Sequence, residues 1–116
     1  LSLIAYSPLA GGLLGEKQEK SPVKVAKRDS FWLNQYNGEQ NSIHISNLHR
    51  IAEESNIKIH ALALQFVLSF DWVASTIIGC STVEQCGQNF MNTSILDKKI
   101  LKKINKLHKQ RMPPCN

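Results

Sequence analysis

Residues 1–6 read Leu-Ser-Leu-Ile-Ala-Tyr, and Pro8 follows two positions after the tyrosine. A near-continuous apolar run of this length fits a buried parallel strand, covered on both faces, better than it fits a half-exposed one. Proline then ends the ladder, because it has no NH to donate and disfavours a helical conformation at Ser7. Beyond it stand Gly11 and Gly12, where the lack of a Cβ lets backbone amides approach a ligand. By itself the segment reads equally as a plain strand-to-helix turn or as a binding loop.

A second such junction lies far downstream. Val73 to Ile78 is a β-branched strand that breaks at Gly79, and the pattern turns helical near Thr82 and continues to about Met91. Ser81-Thr82-Val83-Glu84 fits a capping box, with the Ser81 hydroxyl expected to accept from the Glu84 amide and the Glu84 carboxylate reaching back. The unpaired amides and partial positive charge at such a helix start suit a phosphate, although many helices are capped this way without binding anything.

Between the two junctions the periodicity is helical. From about Asn41, Ile45, Leu48, Ile51 and Ala52 fall on one face, with Asn56 as the stop. A run from about His60 to Phe70 is apolar nearly all round and is expected to lie sandwiched against the sheet. Leu96, Ile100, Ile104 and Leu107 make the stripe of a final helix. Around that stripe Lys98, Lys99, Lys102, Lys103, Lys106 and Lys109 supply much of the net charge of +5. No nucleic-acid motif with interleaved aromatics accompanies them, so they read as a solvated outer face rather than a nucleic-acid or membrane surface.

Other features are read conservatively. His44, His49 and His60 do not share a helical face with a carboxylate at ligand spacing, so no metal site is expected. Cys80, Cys86 and Cys115 form an odd set without metal-type spacing and are expected to be reduced thiols; an oxidation-sensitive Cys80 is the lesser alternative, since no sequence feature marks a depressed thiol pKa. Phe31, Trp32 and Tyr36 cluster in the connecting segment before the Asn37-Gly38 turn, where they are expected to pack a long loop.

Taken together, Tyr6-Ser7-Pro8-Leu9-Ala10-Gly11-Gly12-Leu13-Leu14 resembles the end of the seventh barrel strand of aldo-keto reductases. Ile77-Ile78-Gly79-Cys80-Ser81 through Gln85, Gln88 and Asn89 resembles their eighth strand and the loop and helix after it. Ile51 to Glu54 with Ala61 to Leu68 resembles the intervening helical segment. The resemblance implies an α/β fold: the C-terminal portion of a (β/α)8 TIM barrel, comprising the last two strand-helix units plus a C-terminal helix. A complete barrel of this type takes about 250 residues, so residues 1–116 would form a partial NADP-dependent oxidoreductase domain, whether as a fragment, a truncated gene product or one section of a longer chain.

The resemblance also implies an NADP site and a hydride transfer to or from a small-molecule carbonyl, alcohol or sugar. Ser7, Pro8, Leu9 and Gly11 would lie along the pyrophosphate with Lys17 nearby, and Arg28 would reach over the dinucleotide. Gly79, Ser81, Gln85, Gln88 and Asn89 would surround the adenosine end, and Tyr6 would stand against the nicotinamide. A place for Phe31, Trp32 and Tyr36 walling a substrate site is implied only by the resemblance, since their segment lies beside the barrel mouth in the family. This sequence departs from the family at Gln85, where some branches carry Arg, at Gln88, where Glu is common, and at Gly15-Glu16-Lys17, where Thr-Gly-Lys is common. The family's proton-donating Tyr and its Asp, Lys and His partners lie on earlier strands, so no catalytic residue is assigned within this chain.

Two alternatives stand beside that reading: a non-catalytic binding module related to the family, completed by a partner such as the missing barrel half, and a truncated remnant. The apolar runs fall short of the ~20 residues of a spanning helix, and no signal peptide is recognised, so a cytoplasmic protein without membrane or nucleic-acid partners is expected. Two parallel strands alone would leave an open apolar sheet edge.

Overall fold

The computed structural model describes residues 1–15, 39–91 and 93–110, and every structural statement below concerns these. Strand β1 (Leu3–Tyr6) leads into a short 3-10 turn at Ala10–Gly12. Helices α1 (Glu39–Glu54) and α2 (Ile59–Leu68) precede strand β2 (Val73–Ile77), and α3 (Val83–Phe90) and α4 (Lys98–Lys109) follow it. β1 and β2 pair in parallel, with Ile4 opposite Ser75, Ala5 opposite Thr76 and Tyr6 opposite Ile77. An irregularity between Leu3 and Ile4 shifts the register there, and the Leu3 amide donates to the Trp72 carbonyl at 2.8 Å.

α1 is amphipathic: Ile51 and Ala52 are buried, whereas Arg50, Glu53 and Glu54 face solvent. It stops at Asn56, as its residue type suggests. Asn56 takes a left-handed conformation (φ 52°), its amide donates to the Glu53 carbonyl at 3.0 Å, and the Ile57 amide reaches back to the Ala52 carbonyl at 2.9 Å. This is a Schellman closure, which satisfies carbonyls that a helix end otherwise leaves bare, and asparagine is among the few residues that tolerate the required φ.

α2 buries Ile59, His60, Ala61, Leu62, Leu64 and Gln65, and it packs on β2 as well as on α1 and α3. It ends two residues before Phe70, because the Ser69 hydroxyl donates to the Gln65 carbonyl (2.6 Å) and accepts from the Leu96 amide (2.9 Å). Ser69 thereby ties the end of α2 to the segment that starts α4. Asp97 caps α4 by accepting from the Lys99 amide at 2.7 Å. The core is Ile51, Ala52, Ile59, Leu62, Leu96 and Ile104, with Leu48, Phe66, Ile100 and Leu107 packed around it. The α4 stripe is therefore the inward face, and its lysines are exposed. Rings extend the packing, with Phe66 edge-on to Phe70 at 5.1 Å and tilted against His108 at 5.4 Å, while His44 lies 5.0 Å from His108.

The sheet departs from the expectation of a strand covered on both faces. Leu3, Ile4, Tyr6 and Ile77 are all exposed, Ile4 by 60 % and Tyr6 by 74 %. The apolar composition of β1 is thus not matched by burial among the described residues: helices cover one side of a two-stranded ribbon, and no other described strand pairs with either edge. Of the described helices, none is long and apolar enough to cross a membrane.

Candidate functional site

Parallel pairing decides where the two sequence junctions go. With Tyr6 opposite Ile77, both strands end on the same side of the sheet, and the segments beginning at Ser7 and at Ile78 leave it next to each other. Two stretches some seventy residues apart in sequence therefore form one rim. Carboxyl ends of parallel strands are where α/β folds place their ligands, since loops there can vary while the sheet holds them.

The first loop is wound by left-handed residues. Ser7 (φ 53°), Ala10 (φ 49°), Gly11 (φ 66°) and Gly12 (φ 101°) all have positive φ. For Ser7 and Ala10 this costs roughly 1–3 kcal/mol each, and such strain concentrates at functional turns. A Cβ built on Gly11 or Gly12 would meet nothing within 4 Å, so glycine is required here by backbone conformation and not by crowding. The loop also uses part of its own donor set: the Ala10 amide bonds to the Ser7 carbonyl (3.0 Å), Gly12 to Leu9 (2.9 Å) and Leu14 to Leu9 (3.2 Å). The Gly12 amide is thereby used within the loop. Pro8 and Leu9 are half-buried, and Ser7 and Gly11 are exposed.

In the second loop the cap sits one residue later than the sequence pattern suggested. Thr82, not Ser81, is the N-cap of α3, and its hydroxyl accepts from the Gln85 amide at 3.2 Å. Gln85, not Glu84, supplies the reciprocal bond, its side-chain carbonyl accepting from the Ser81 amide at 2.9 Å. The reason is chemical: Thr82-x-x-Gln85 satisfies the same box as Ser81-x-x-Glu84, and Thr82 has the extended φ and ψ (−134°, 159°) of a cap residue. Residues Gly79, Ser81 and Thr82 are exposed, and a Cβ at Gly79 would meet nothing within 4 Å. Asn89 is only 7 % exposed, and its NH2 group donates to the Cys80 sulfur at 3.3 Å. Asn89 thus braces the loop from below, while Gln88 is half-buried one position earlier.

The segments that carry Ser7, Pro8, Leu9 and Gly11 and those that carry Gly79 and Ser81 therefore leave the sheet on the same side, with Gln85 bonded to Ser81 and Asn89 to Cys80. Lys17 and Arg28 lie outside the described residues, as do Phe31, Trp32, Tyr36 and Cys115. Beneath the rim, on the helix side, a cavity of about 300 Å³ opens between Tyr6, Pro8, Leu48, Leu62, Phe66 and His108. Sequence reading missed two residues here, Thr82 as the cap and Cys86 as a neighbour of Cys80. The overlapping box motif signalled the first, whereas no motif signalled the second.

A profile of the aldo/keto reductase family matches residues 1–109. The chain belongs to the aldo/keto reductase family. It is also 35 % identical over 108 residues to the uncharacterized oxidoreductase YrpG of Bacillus subtilis (strain 168), an alignment covering 90 % of this chain and 31 % of that protein. This aldo/keto reductase chain therefore spans about a third of the length of the curated relative it matches. The strand, rim and helix elements described above all fall inside the matched region.

Proposed function

We propose that this chain is the nucleotide-holding, C-terminal portion of a (β/α)8-barrel reductase that uses NADP to reduce or oxidise a small-molecule carbonyl, alcohol or sugar. The observation that carries the reading is the parallel register of Tyr6 against Ile77, which gives the two family motifs a common rim. The donor set fits a dinucleotide. A capped helix start and exposed serine and threonine hydroxyls suit phosphate, and side-chain amides suit an adenine edge.

In this reading Ser7, Pro8, Leu9 and Gly11 follow the pyrophosphate with Lys17 and Arg28 over it, and Gly79, Ser81, Gln85, Gln88 and Asn89 hold the adenosine end. Tyr6 offers an exposed ring to the nicotinamide. When bound, the cofactor supplies or accepts the hydride. The residues of this chain bind and orient it, and the proton donor comes from strands preceding β1. The exposed apolar residues Leu3, Ile4 and Ile77 support the same conclusion, since further strands or a complementary barrel half would cover them.

The test is fluorescence titration of the whole protein with NADPH and with NADH, repeated with Gln88→Ala and Ser81→Ala. Tighter binding of NADPH, weakened by both substitutions, is expected. Equal affinity for the two nucleotides would reject the NADP preference, and binding of neither would reject the nucleotide site.

A further inference from the structure

Cys80 and Cys86 are six positions apart in sequence, one in the exposed loop after β2 and the other in the first turns of α3. The fold brings them together. Cys86 and Asn89 are three residues apart on α3 and so share a face, and Asn89 donates to the Cys80 sulfur at 3.3 Å. That contact lays Cys80 against the face of α3 that carries Cys86. Cys80 is exposed and Cys86 is half-buried, so an oxidant in solution meets Cys80 first. Partial burial pushes the Cys86 thiol up, with the neighbouring Cys80 adding to the effect. That suits Cys86 to the slower, resolving role, because the thiolate is the attacking form.

We propose that Cys80 and Cys86 are a paired modification site, oxidised by a peroxide to an intramolecular disulfide that loosens nucleotide binding at the rim. The Cys80 thiolate attacks one peroxide oxygen, the O–O bond breaks, and Cys80 becomes a sulfenic acid while water leaves. The Cys86 thiolate then attacks the Cys80 sulfur and displaces its hydroxyl, which leaves as a second water after taking a proton. Two thiols and one hydrogen peroxide thus give one disulfide and two waters. Bonding to Cys86 requires a sulfur–sulfur separation near 2 Å, which draws Cys80 away from Asn89 and clamps the loop of residues 79–82 against α3. The effect on the nucleotide rests on the proposed function above, whereas formation of the bond does not.

The test treats the reduced whole protein with hydrogen peroxide and then digests it with trypsin and a glutamate-specific protease. Glu84 lies between the two cysteines, so cleavage there leaves two peptides that only a disulfide joins. Joined Cys80 and Cys86 peptides are expected. Cys86→Ser should instead leave a Cys80 sulfenic acid that dimedone traps. Persistence of both thiols, or a first bond made to Cys115, would overturn the pairing. In parallel, NADPH affinity should fall about tenfold on oxidation, within the ordinary range of coupling between sites, and bound NADPH should disfavour the disulfide by the same factor. Recovery with dithiothreitol and insensitivity of Cys86→Ser are expected. NADPH affinity unchanged by a formed disulfide would overturn the regulatory part. A disulfide in a protein that binds no nucleotide in either state would overturn the proposed function and leave the pairing standing.

Discussion

Replacing Ile104 by alanine should destabilise the protein more than any other single change on α4. Ile104 is 2 % exposed and belongs to the cluster that joins α1, α2 and α4 through Ile51, Ile59 and Leu62. Truncation removes three carbons at about 0.8 kcal/mol each, or about 2.4 kcal/mol of transfer free energy. A residual cavity of roughly 40 Å³, at about 24 cal/mol per Å³, adds about 1 kcal/mol. The expected loss is about 3.5 kcal/mol, a large share of the roughly 5–15 kcal/mol that holds a domain folded. Lys102→Ala, two residues away on the exposed face, should change stability by less than about 0.5 kcal/mol. The assay is urea denaturation followed by far-ultraviolet circular dichroism, read as a midpoint shift at unchanged slope. Should the alanine variant not fold, Ile104→Val is expected to cost about 1 kcal/mol. A loss below about 1 kcal/mol for Ile104→Ala, or one matched by Lys102→Ala, would refute the placement of the core.

Two further outcomes follow from the same structure. Thr82→Ala should cost about 1 kcal/mol through loss of the α3 cap, and Ser81→Ala should leave thermal unfolding nearly unchanged. The reverse ranking in a melting experiment would mean that Ser81 is the cap after all. Glu54 is held below its ordinary carboxylate value of 4.5, first by its hydrogen bond from Lys103 Nζ at 3.0 Å and then by that ammonium's charge. A depressed folded-state value stabilises the fold above the ordinary value and loses that contribution as pH falls through the folded one. Lys103→Ala should therefore have a small penalty at neutral pH that fades under acid and in high salt, because both side chains are about half exposed. A carbon-13 titration of Glu54 that is unmoved by the substitution would contradict this.

The order of elements was legible because each rests on a local signal: an apolar run stopped by Pro8, an asparagine at the end of α1, and a 3.6-residue stripe along α4. Where two signals overlapped, as in Ser81 and Thr82 each followed three residues later by Glu84 or Gln85, periodicity could not choose. Backbone geometry chose Thr82. The approach of Cys86 to Cys80 was not legible at all, since it depends on where the loop lies over the helix face and not on spacing. The exposure of Ile4 and Tyr6 is a third kind of case. Composition states how much burial a strand is suited to, whereas a two-stranded ribbon with helices on one side supplies less.

The most direct test of the account is hydrogen–deuterium exchange of the whole protein with and without NADPH. Protection confined to the segments of residues 7–12 and 79–89, with α1 and α4 unchanged, is the predicted result. Binding of NADPH that leaves both segments exchanging at their original rates would contradict the claim that this rim holds the nucleotide.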